Sequence, residues 1–208
     1  MMQALGSQLS LVPSRGGGVT GTLIKEMIET ARAMSTQPGH WWCDQLNNRD
    51  AVRGYLPLGE EIWAQAEGRV SAFVHGVGTA HSIHGATQGL WKHDRRIHVV
   101  AVEPEESAVL SGRSSGSHGI DGIGIGFIPP LWEPRQVNEV MTVSTGEAKA
   151  MARRLANEEG IFAGTSSGAN IVAAIRVAQR LGRGETVVTI IVDSGLRYLS
   201  TDVFRSPK

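Results

Sequence analysis

The sequence is poor in cysteine and in long apolar runs, and it carries no excess of either charge. Cys43 is the one cysteine among 208 residues, which excludes a disulfide framework and a cysteine-rich zinc site. Twenty lysines and arginines balance twenty aspartates and glutamates, so no basic field is available to hold nucleic acid. No apolar stretch approaches the roughly 18 residues that a membrane span requires, and the first residues lack the layout of a signal peptide. These absences favour a cytoplasmic protein that acts on small molecules, without a nucleic-acid or membrane partner.

Apolar segments alternate with helical patterns after residue 60. Runs of β-branched and other apolar residues predict strands, and intervening segments with apolar residues at helical spacing predict helices. The strands are Val70–Val74, Ile97–Val102 and Val187–Val192, and the helices are Ser82–Lys92 and Ser167–Leu181, with Gly182 as the stop of the second. Near-continuous apolar strands joined by helices indicate a parallel sheet that is buried on both faces. The predicted fold class is therefore α/β, with a mostly parallel open sheet and helices on both faces.

A further helix is predicted after Ser144, because Ser144 and Glu147 form a capping-box pattern and apolar residues follow at helical spacing. Before residue 60 the signals are weaker, and they predict a short strand, a helix and a second possible strand at Leu9–Val12, Gly21–Ala33 and Trp41–Leu46. Cys43 has no base near it in the sequence, so we interpret it as a core residue.

Residues 70–90 contain the most informative pattern of the chain. An apolar run ends in a turn that contains Gly76 and Gly78, and a helical pattern begins near Ser82. Glycines let the backbone approach a ligand closely, and the amino end of a helix presents N–H groups with partial positive charge. The pattern therefore favours a phosphate site, although a tight connection without a ligand has the same signature.

Two other segments are rich in glycine and small polar residues. Gly160–Asn170 (GIFAGTSSGAN) places two adjacent serines before the last predicted helix, where serines usually cap the free N–H groups of the first turn. Gly119–Pro130 (GIDGIGIGFIPP) predicts an irregular loop whose backbone suits a flat ligand or a neighbouring domain.

These segments, in this order, resemble the fold-type II pyridoxal-phosphate enzymes, in the branch of cysteine synthase and cystathionine β-synthase. GVGTAHSIHG is similar to the family's G-x-G-T-G-G-T-x-x-G, and VVTIIVDSGLRYLST is similar to V-V-T-I-x-x-D-S-G-x-R-Y-L-S-T. MQALGSQLSLVP, VVAVEPEESAVLSG and GTSSGAN extend the resemblance over nearly the whole chain. It implies a tryptophan synthase β-like fold that is incomplete at the N-terminus. Residues 1–47 would then be the remnant of a small mobile domain, and residues 48–208 the large domain that binds pyridoxal 5'-phosphate.

The resemblance also implies roles for individual residues. The cofactor phosphate would be held by Gly78, Thr79, Ala80, His81 and Ser82, where Ala80 and His81 replace two glycines and Ser82 replaces a threonine. Ser166 would hydrogen-bond the pyridine nitrogen of the cofactor. Gly122–Gly126 would lie around the cofactor and Gln45 near the substrate, whereas structural roles are expected for Asp193, Ser194, Arg197 and Tyr198.

Two motifs of the family do not occur in this sequence. One is P-x-x-S-x-K-x-R, whose lysine holds the cofactor covalently, and the other is T-S-G-N-T-G, which binds the substrate carboxylate. The chain has four lysines, which are Lys25, Lys92, Lys149 and Lys208. We interpret all four as solvated charges, and no catalytic residue is assigned. His75, His81 and His84 resemble a possible metal trio, but neutral histidines in such a loop are commoner, so no metal is predicted.

The function implied for the complete form is a pyridoxal-phosphate-dependent β-replacement, in which O-acetylserine or serine reacts with a thiol or sulfide. Residues 46–58 depart from the family's N-P-x-x-H-x-x-T-T, which leaves the amino-acid substrate and the sulfur donor open. The isolated chain is expected to be a weak catalyst or none. The alternatives are a non-catalytic remnant that binds a phosphorylated ligand, or an assembly partner. We expect a homodimer or a partner that supplies the missing N-terminal segment.

Overall fold

A parallel sheet of four strands forms the centre of the computed structural model, which describes residues 2–14 and 19–205. The strands lie in the order β3-β2-β1-β4, and all three neighbouring pairs are parallel. Their bounds are β1 (Ala72–Gly76), β2 (His98–Pro104), β3 (Glu139–Val143) and β4 (Val187–Thr189). Phe73 in β1 is in register with Val99 of β2 and Val188 of β4. The predicted α/β class is confirmed.

The described part of the chain has six α-helices. They are α1 (Gly21–Ser35), α2 (Asp50–Gly54), α3 (Leu56–Gln65), α4 (His81–Leu90), α5 (Thr145–Glu158) and α6 (Thr165–Leu181). Helices α3 and α4 pack on one face of the sheet, and α5 and α6 pack on the other. Alternate residues of the central strands enter two separate cores, as the two-residue period of a strand requires. Val74 and Val100 pack with α5 and α6, whereas Phe73 and Val99 pack with α3 and α4. Strands that are buried on both sides explain the unbroken apolar runs in the sequence.

Helices α3 and α4 approach each other closely through glycines. A Cβ atom at Gly59 of α3 would overlap the carbonyl oxygen of Ala86 in α4. Close approach lets these two helices fill the space beside β1, and it fixes the direction in which α4 leaves the turn after that strand.

Two predicted strands and one predicted core residue are wrong. Residues 9–12 and 41–46 lie outside any helix or strand, because no neighbouring strand pairs with them. Leu11 is 85% exposed and Trp41 is 80% exposed, so their apolar character does not reflect burial in the described fold. Cys43 lies in the second of these segments and is also exposed, so it is not a core residue. The last predicted strand ends at Thr189 rather than at Val192.

The sequence patterns missed helices α2 and α3 and strand β3. Both helices lie in the region before residue 66, where the apolar spacing is interrupted by glycine and proline. Strand β3 is the outer strand beyond β2 and is mostly half-buried, so it lacks the continuous apolar run of a central strand. Within the described residues, no helix combines the length and the apolar character needed to cross a bilayer.

Candidate functional site

A cavity of about 460 Å³ opens where the turn after β1 meets the amino end of α6. Parallel strands in open α/β sheets place ligand sites at their carboxyl ends, and this cavity lies beyond the last residue of β1. Residues from distant parts of the sequence line it, including Gln45, Gly78, Thr79, Ser82, Gly122, Ser166, Asn170, Asp193 and Arg197. Gln45 and Gly122, which the resemblance places near the substrate and the cofactor, both line this cavity.

Helix α4 directs its amino end at the cavity without a side-chain cap. Its N-cap residue is Ala80, whose φ is +70°, and no side chain accepts a hydrogen bond from the first turn at this position. The left-handed conformation therefore falls on Ala80, whereas His81 is the first helical residue. A left-handed residue other than glycine is strained by roughly 1–2 kcal/mol. The free N–H groups of the first turn and the partial positive charge of the helix favour an anion here.

Glycines bring two backbone segments together at the same point. A Cβ atom at Gly78 would lie 2.5 Å from the carbonyl oxygen of Gly122, so a side chain there would displace the loop that follows. Gly122, Gly124 and Gly126 all have positive φ, between +65° and +90°. This alternating left-handed backbone explains the glycine-alternating sequence of the predicted loop. The small residues leave open the space that a ligand would occupy.

The two adjacent serines, Ser166 and Ser167, lie in the first turn of α6, where they have different roles and neither caps the helix. Gly164 is the N-cap residue and Thr165 is the first helical residue, so the predicted serine N-cap is wrong. Ser167 is fully buried, and its Oγ accepts a hydrogen bond from the backbone N–H of Val192 at 3.0 Å. Ser166 is 4% exposed and lines the cavity. A second helix therefore presents its first turn to the same space as α4.

His75 lies beneath the amino end of α4 and was not predicted as a member of the site. It is 5% exposed, and its Nε2 lies 2.8 Å from Ser82 Oγ. Its Nδ1 lies 3.4 Å from Nδ2 of Asn170 in α6. Burial lowers the pKa of His75 to about 4, so the ring is neutral at neutral pH. The sequence offered no signal for this contact because His75 and Asn170 are far apart in the chain.

Histidines do not form a metal centre in the described part of the chain. No group of three or more histidine, cysteine, aspartate or glutamate side chains converges there. His81 Nδ1 instead lies 3.1 Å from Thr79 Oγ1, and Nε2 of His84 accepts a hydrogen bond from the backbone N–H of Glu133 at 3.0 Å. Burial lowers the pKa of His81 and that of His84, the latter to about 4.

Residues after β4 make hydrogen bonds that hold the chain in place, in keeping with the structural roles expected for them, and they also line the cavity. Asp193 accepts hydrogen bonds from the backbone N–H of Gly164 at 3.1 Å and from the hydroxyl of Tyr198 at 2.7 Å. Burial raises the pKa of Tyr198, and the hydrogen bond to Asp193 raises it further. Asp193 and Arg197 line the cavity as well, which the sequence interpretation did not anticipate.

The described lysines lie outside the cavity. Lys92 pairs with Glu60 at 2.9 Å, and Lys149 pairs with Asp202 at 2.7 Å. Lys25 lies over the ring of Phe127, 6.0 Å from its centroid. Lys149 is half-buried rather than freely solvated, and Lys208 lies outside the described residues. Among residues 2–14 and 19–205, no lysine lines the cavity.

The family described as pyridoxal-phosphate dependent enzyme matches residues 1–193. The chain belongs to this family. The cavity fits such a cofactor, because the uncapped amino end of α4 suits the phosphate and the hydroxyl of Ser166 in the cavity lining suits a ring nitrogen.

Individual relatives place the chain near cysteine synthases. Cysteine synthase of Staphylococcus aureus (strain Mu50 / ATCC 700699) is 38% identical over 206 residues, which are 98% of this chain and 64% of that protein. The crystal structure of cysteine synthase from Entamoeba histolytica matches with a TM-score of 0.88 and 35% identity, over 100% of this chain and 60% of that one.

O-acetylserine dependent cystathionine beta-synthase from Helicobacter pylori matches with a TM-score of 0.89 and 33% identity, over 98% of this chain and 65% of that one. The chain thus spans less than two thirds of the length of these relatives. Its predicted membership of the cysteine synthase and cystathionine β-synthase branch is confirmed, as is its fold.

Proposed function

We propose that this chain is the cofactor-binding part of a cysteine synthase-like enzyme. The single observation that carries the proposal is one cavity faced by two helix amino ends, with Ser82 at the first and Ser166 at the second. In this assignment, residues 78–82 hold the phosphate of pyridoxal 5'-phosphate through backbone N–H groups and hydroxyls. Ser166 hydrogen-bonds the pyridine nitrogen, and the backbone around Gly122 lies beside the ring.

Pyridoxal 5'-phosphate, when bound, supplies an electron sink for reactions at the α- and β-carbons of an amino acid. A serine at the ring nitrogen cannot keep that nitrogen protonated as an aspartate would, so the ring withdraws less charge. This choice favours the loss of a substituent from the β-carbon over reactions that need a long-lived carbanion. The residues of this chain orient the ring, hold the phosphate and shape the space beside it.

The substrate class is proposed from the relatives of the chain. For the complete form we propose β-replacement on O-acetylserine or serine by a thiol or sulfide, supported by the likeness to cysteine synthases. Residues 1–47 would belong to a small mobile domain and residues 48–208 to the large domain. We propose that the chain acts in the cytoplasm either as a homodimer or together with a partner chain that supplies the lysine-bearing segment.

The described chain offers no amine to hold the cofactor covalently. The described lysines lie outside the cavity, and two of them are paired with carboxylates. We therefore expect this chain alone to bind the cofactor reversibly and to turn over substrate weakly or not at all.

A non-catalytic binding protein or an assembly partner is the second candidate function. One observation favours it: apolar side chains stay exposed after β4, with Val192 44% exposed, Leu196 67% and Leu199 60%. Exposed apolar side chains grouped along one segment are typical of interaction surfaces.

Cysteine formation from O-acetylserine and sulfide tests the proposal. The chain is assayed with pyridoxal 5'-phosphate alone, and again after co-expression with the first third of the Staphylococcus aureus cysteine synthase. We expect no rate above that of free cofactor for the chain alone and a measurable rate for the pair. A chain that neither binds the cofactor nor gains activity with the added segment would contradict the proposal. Stable association of the pair without activity would favour the assembly partner.

A further inference from the structure

The hydroxyl of Ser82 has a single hydrogen-bond partner in the described part of the chain, and that partner is His75. Ser82 is the second residue of α4, and it lines the cavity. A hydroxyl has one hydrogen to donate and two lone pairs to accept with. The direction of the bond with His75 therefore decides whether Ser82 offers the cavity a hydrogen or a lone pair.

Asn170 determines which nitrogen of His75 carries the hydrogen. Nδ2 of Asn170 donates to the carbonyl oxygen of Ile190 at 2.9 Å. The opposite amide orientation would place two acceptor oxygens against each other at that contact, so the observed orientation is required. The second hydrogen on Nδ2 then faces His75 Nδ1 at 3.4 Å.

A neutral histidine has one N–H, so the acceptor at Nδ1 leaves the hydrogen on Nε2. The neutral state is secured by burial, since the pKa of His75 is lowered to about 4. Among the described residues, the side chains hydrogen-bonded to the ring are the neutral Ser82 and Asn170, and the aromatic contact of the ring is with Phe73 at a centroid distance of 5.8 Å.

We propose that His75 is a positioning residue: it donates from Nε2 to Ser82 Oγ, so that the Ser82 hydrogen is left available to a ligand in the cavity. The ligand class that this arrangement suits is a fully ionised phosphate monoester, whose oxygens only accept hydrogen bonds. The reverse tautomer would make Ser82 donate to His75 and turn a lone pair towards the anion. This inference rests on the proposed binding of pyridoxal 5'-phosphate and adds the chain of contacts from α6 to α4 that prepares the phosphate site.

The tautomer is measured first on the ligand-free chain, by nitrogen-15 NMR of the histidine rings. We expect His75 to carry its hydrogen on Nε2 at neutral pH. A hydrogen on Nδ1, or a doubly protonated ring, would overturn the inference. This result does not depend on cofactor binding, so it separates the inference from the proposed function.

A double-variant cycle then tests the coupling between the two residues, with pyridoxal 5'-phosphate as the probe. Hydrogen bonds to charged groups contribute roughly 1.5–3 kcal/mol, so Ser82→Ala should weaken binding by about tenfold or more. His75→Leu should weaken binding about three- to tenfold when Ser82 is present and should add nothing when Ser82→Ala is already in place. His75→Gln, which keeps an N–H donor, should restore part of the affinity.

Equal losses from His75→Leu in both backgrounds would overturn the positioning role, because they would show an effect that does not pass through Ser82. Pyridoxal, which has no phosphate, serves as the matched ligand, and its binding should not respond to either variant. Absence of pyridoxal 5'-phosphate binding by the unmodified chain would overturn the proposed function and the ligand class assigned here, whereas the NMR result would still decide the direction of the hydrogen bond.

Discussion

Two buried neutral histidines should make the folded chain sensitive to acid. Burial lowers the pKa of both His75 and His84 from 6.5 to about 4. His84 is 2% exposed and packs against the ring of Trp132, with a centroid distance of 5.3 Å. Between these pKa values the unfolded chain binds more protons than the folded chain. The contribution of the two neutral histidines to the free energy of unfolding is therefore fully present above about pH 6.5 and is lost as the pH falls towards 4.

The size of the effect follows from the gap between the two pKa values. At about 1.4 kcal/mol per pH unit, the gap corresponds to roughly 3 kcal/mol for each histidine once it is fully protonated. At about pH 5 the loss should be roughly 2 kcal/mol for each histidine. This is a large share of the stability of an ordinary domain, which is about 5–15 kcal/mol.

Urea unfolding of the chain and of His84→Gln, at about pH 7.5 and about pH 5, measures this loss. The free energy of unfolding should fall by roughly 2 kcal/mol less in His84→Gln than in the unmodified chain. His40→Gln serves as the matched control, because His40 is exposed, and it should lose as much as the unmodified chain. Comparing the two pH values within each variant removes any constant cost of the substitution. The reasoning is refuted if His84→Gln and the unmodified chain lose the same free energy.

Three further variants test the packing and the site. Gly59→Ala should destabilise the fold by about 1–3 kcal/mol through overpacking of α3 against α4, whereas Gly54→Ala, where a Cβ meets nothing within 4 Å, should not; thermal unfolding that ranks them equally contradicts the close approach. Ser144→Ala removes one half of the capping box and should lower the free energy of unfolding by about 1 kcal/mol, and an unchanged melting temperature would argue against the box. Ser166→Ala should weaken binding of pyridoxal 5'-phosphate with little change in stability. Ser167→Ala should reduce stability, because it leaves a backbone N–H without its acceptor. A larger loss of stability in Ser166→Ala than in Ser167→Ala would contradict the different roles of the two serines.

Local sequence patterns predicted the central strands and the main helices. Val99 and Val100 face different cores, and burial on both sides leaves a continuous apolar run that a sequence displays directly. The capping box at Ser144 is equally local and is confirmed. Element ends moved by a few residues, because the last hydrogen bonds of a strand or helix depend on its neighbours.

Patterns before residue 60 failed where apolar character was not linked to burial. Leu11 and Trp41 suggested strands, yet both are exposed and neither segment pairs with a strand of the described residues. Pairing with a neighbour makes a strand, and a single sequence carries no record of the neighbour. Strand β3 was missed for the opposite reason, since its partner β2 holds it although its own residues are mostly half-buried.

The site was predictable in its backbone and not in its side-chain contacts. The glycine spacing around Gly78 and Gly122 indicated the cavity. The two backbone segments approach each other so closely that a side chain at Gly78 would not fit between them. The contact of His75 with Ser82 and Asn170 joins two helices to a strand, and no spacing within the sequence predicts it. The resemblance to a known family suggested the role proposed for Ser166, which composition alone would have left among ordinary first-turn serines.

The most direct test of the account is a titration of the purified chain with pyridoxal 5'-phosphate, followed by borohydride reduction and peptide mapping. The account predicts saturable binding that requires the phosphate, that is reversed by dialysis and that leaves no lysine labelled after reduction. A cofactor that fails to bind would contradict the assignment of the cavity. Stoichiometric labelling of one lysine would contradict the conclusion that this chain holds its cofactor without a covalent bond.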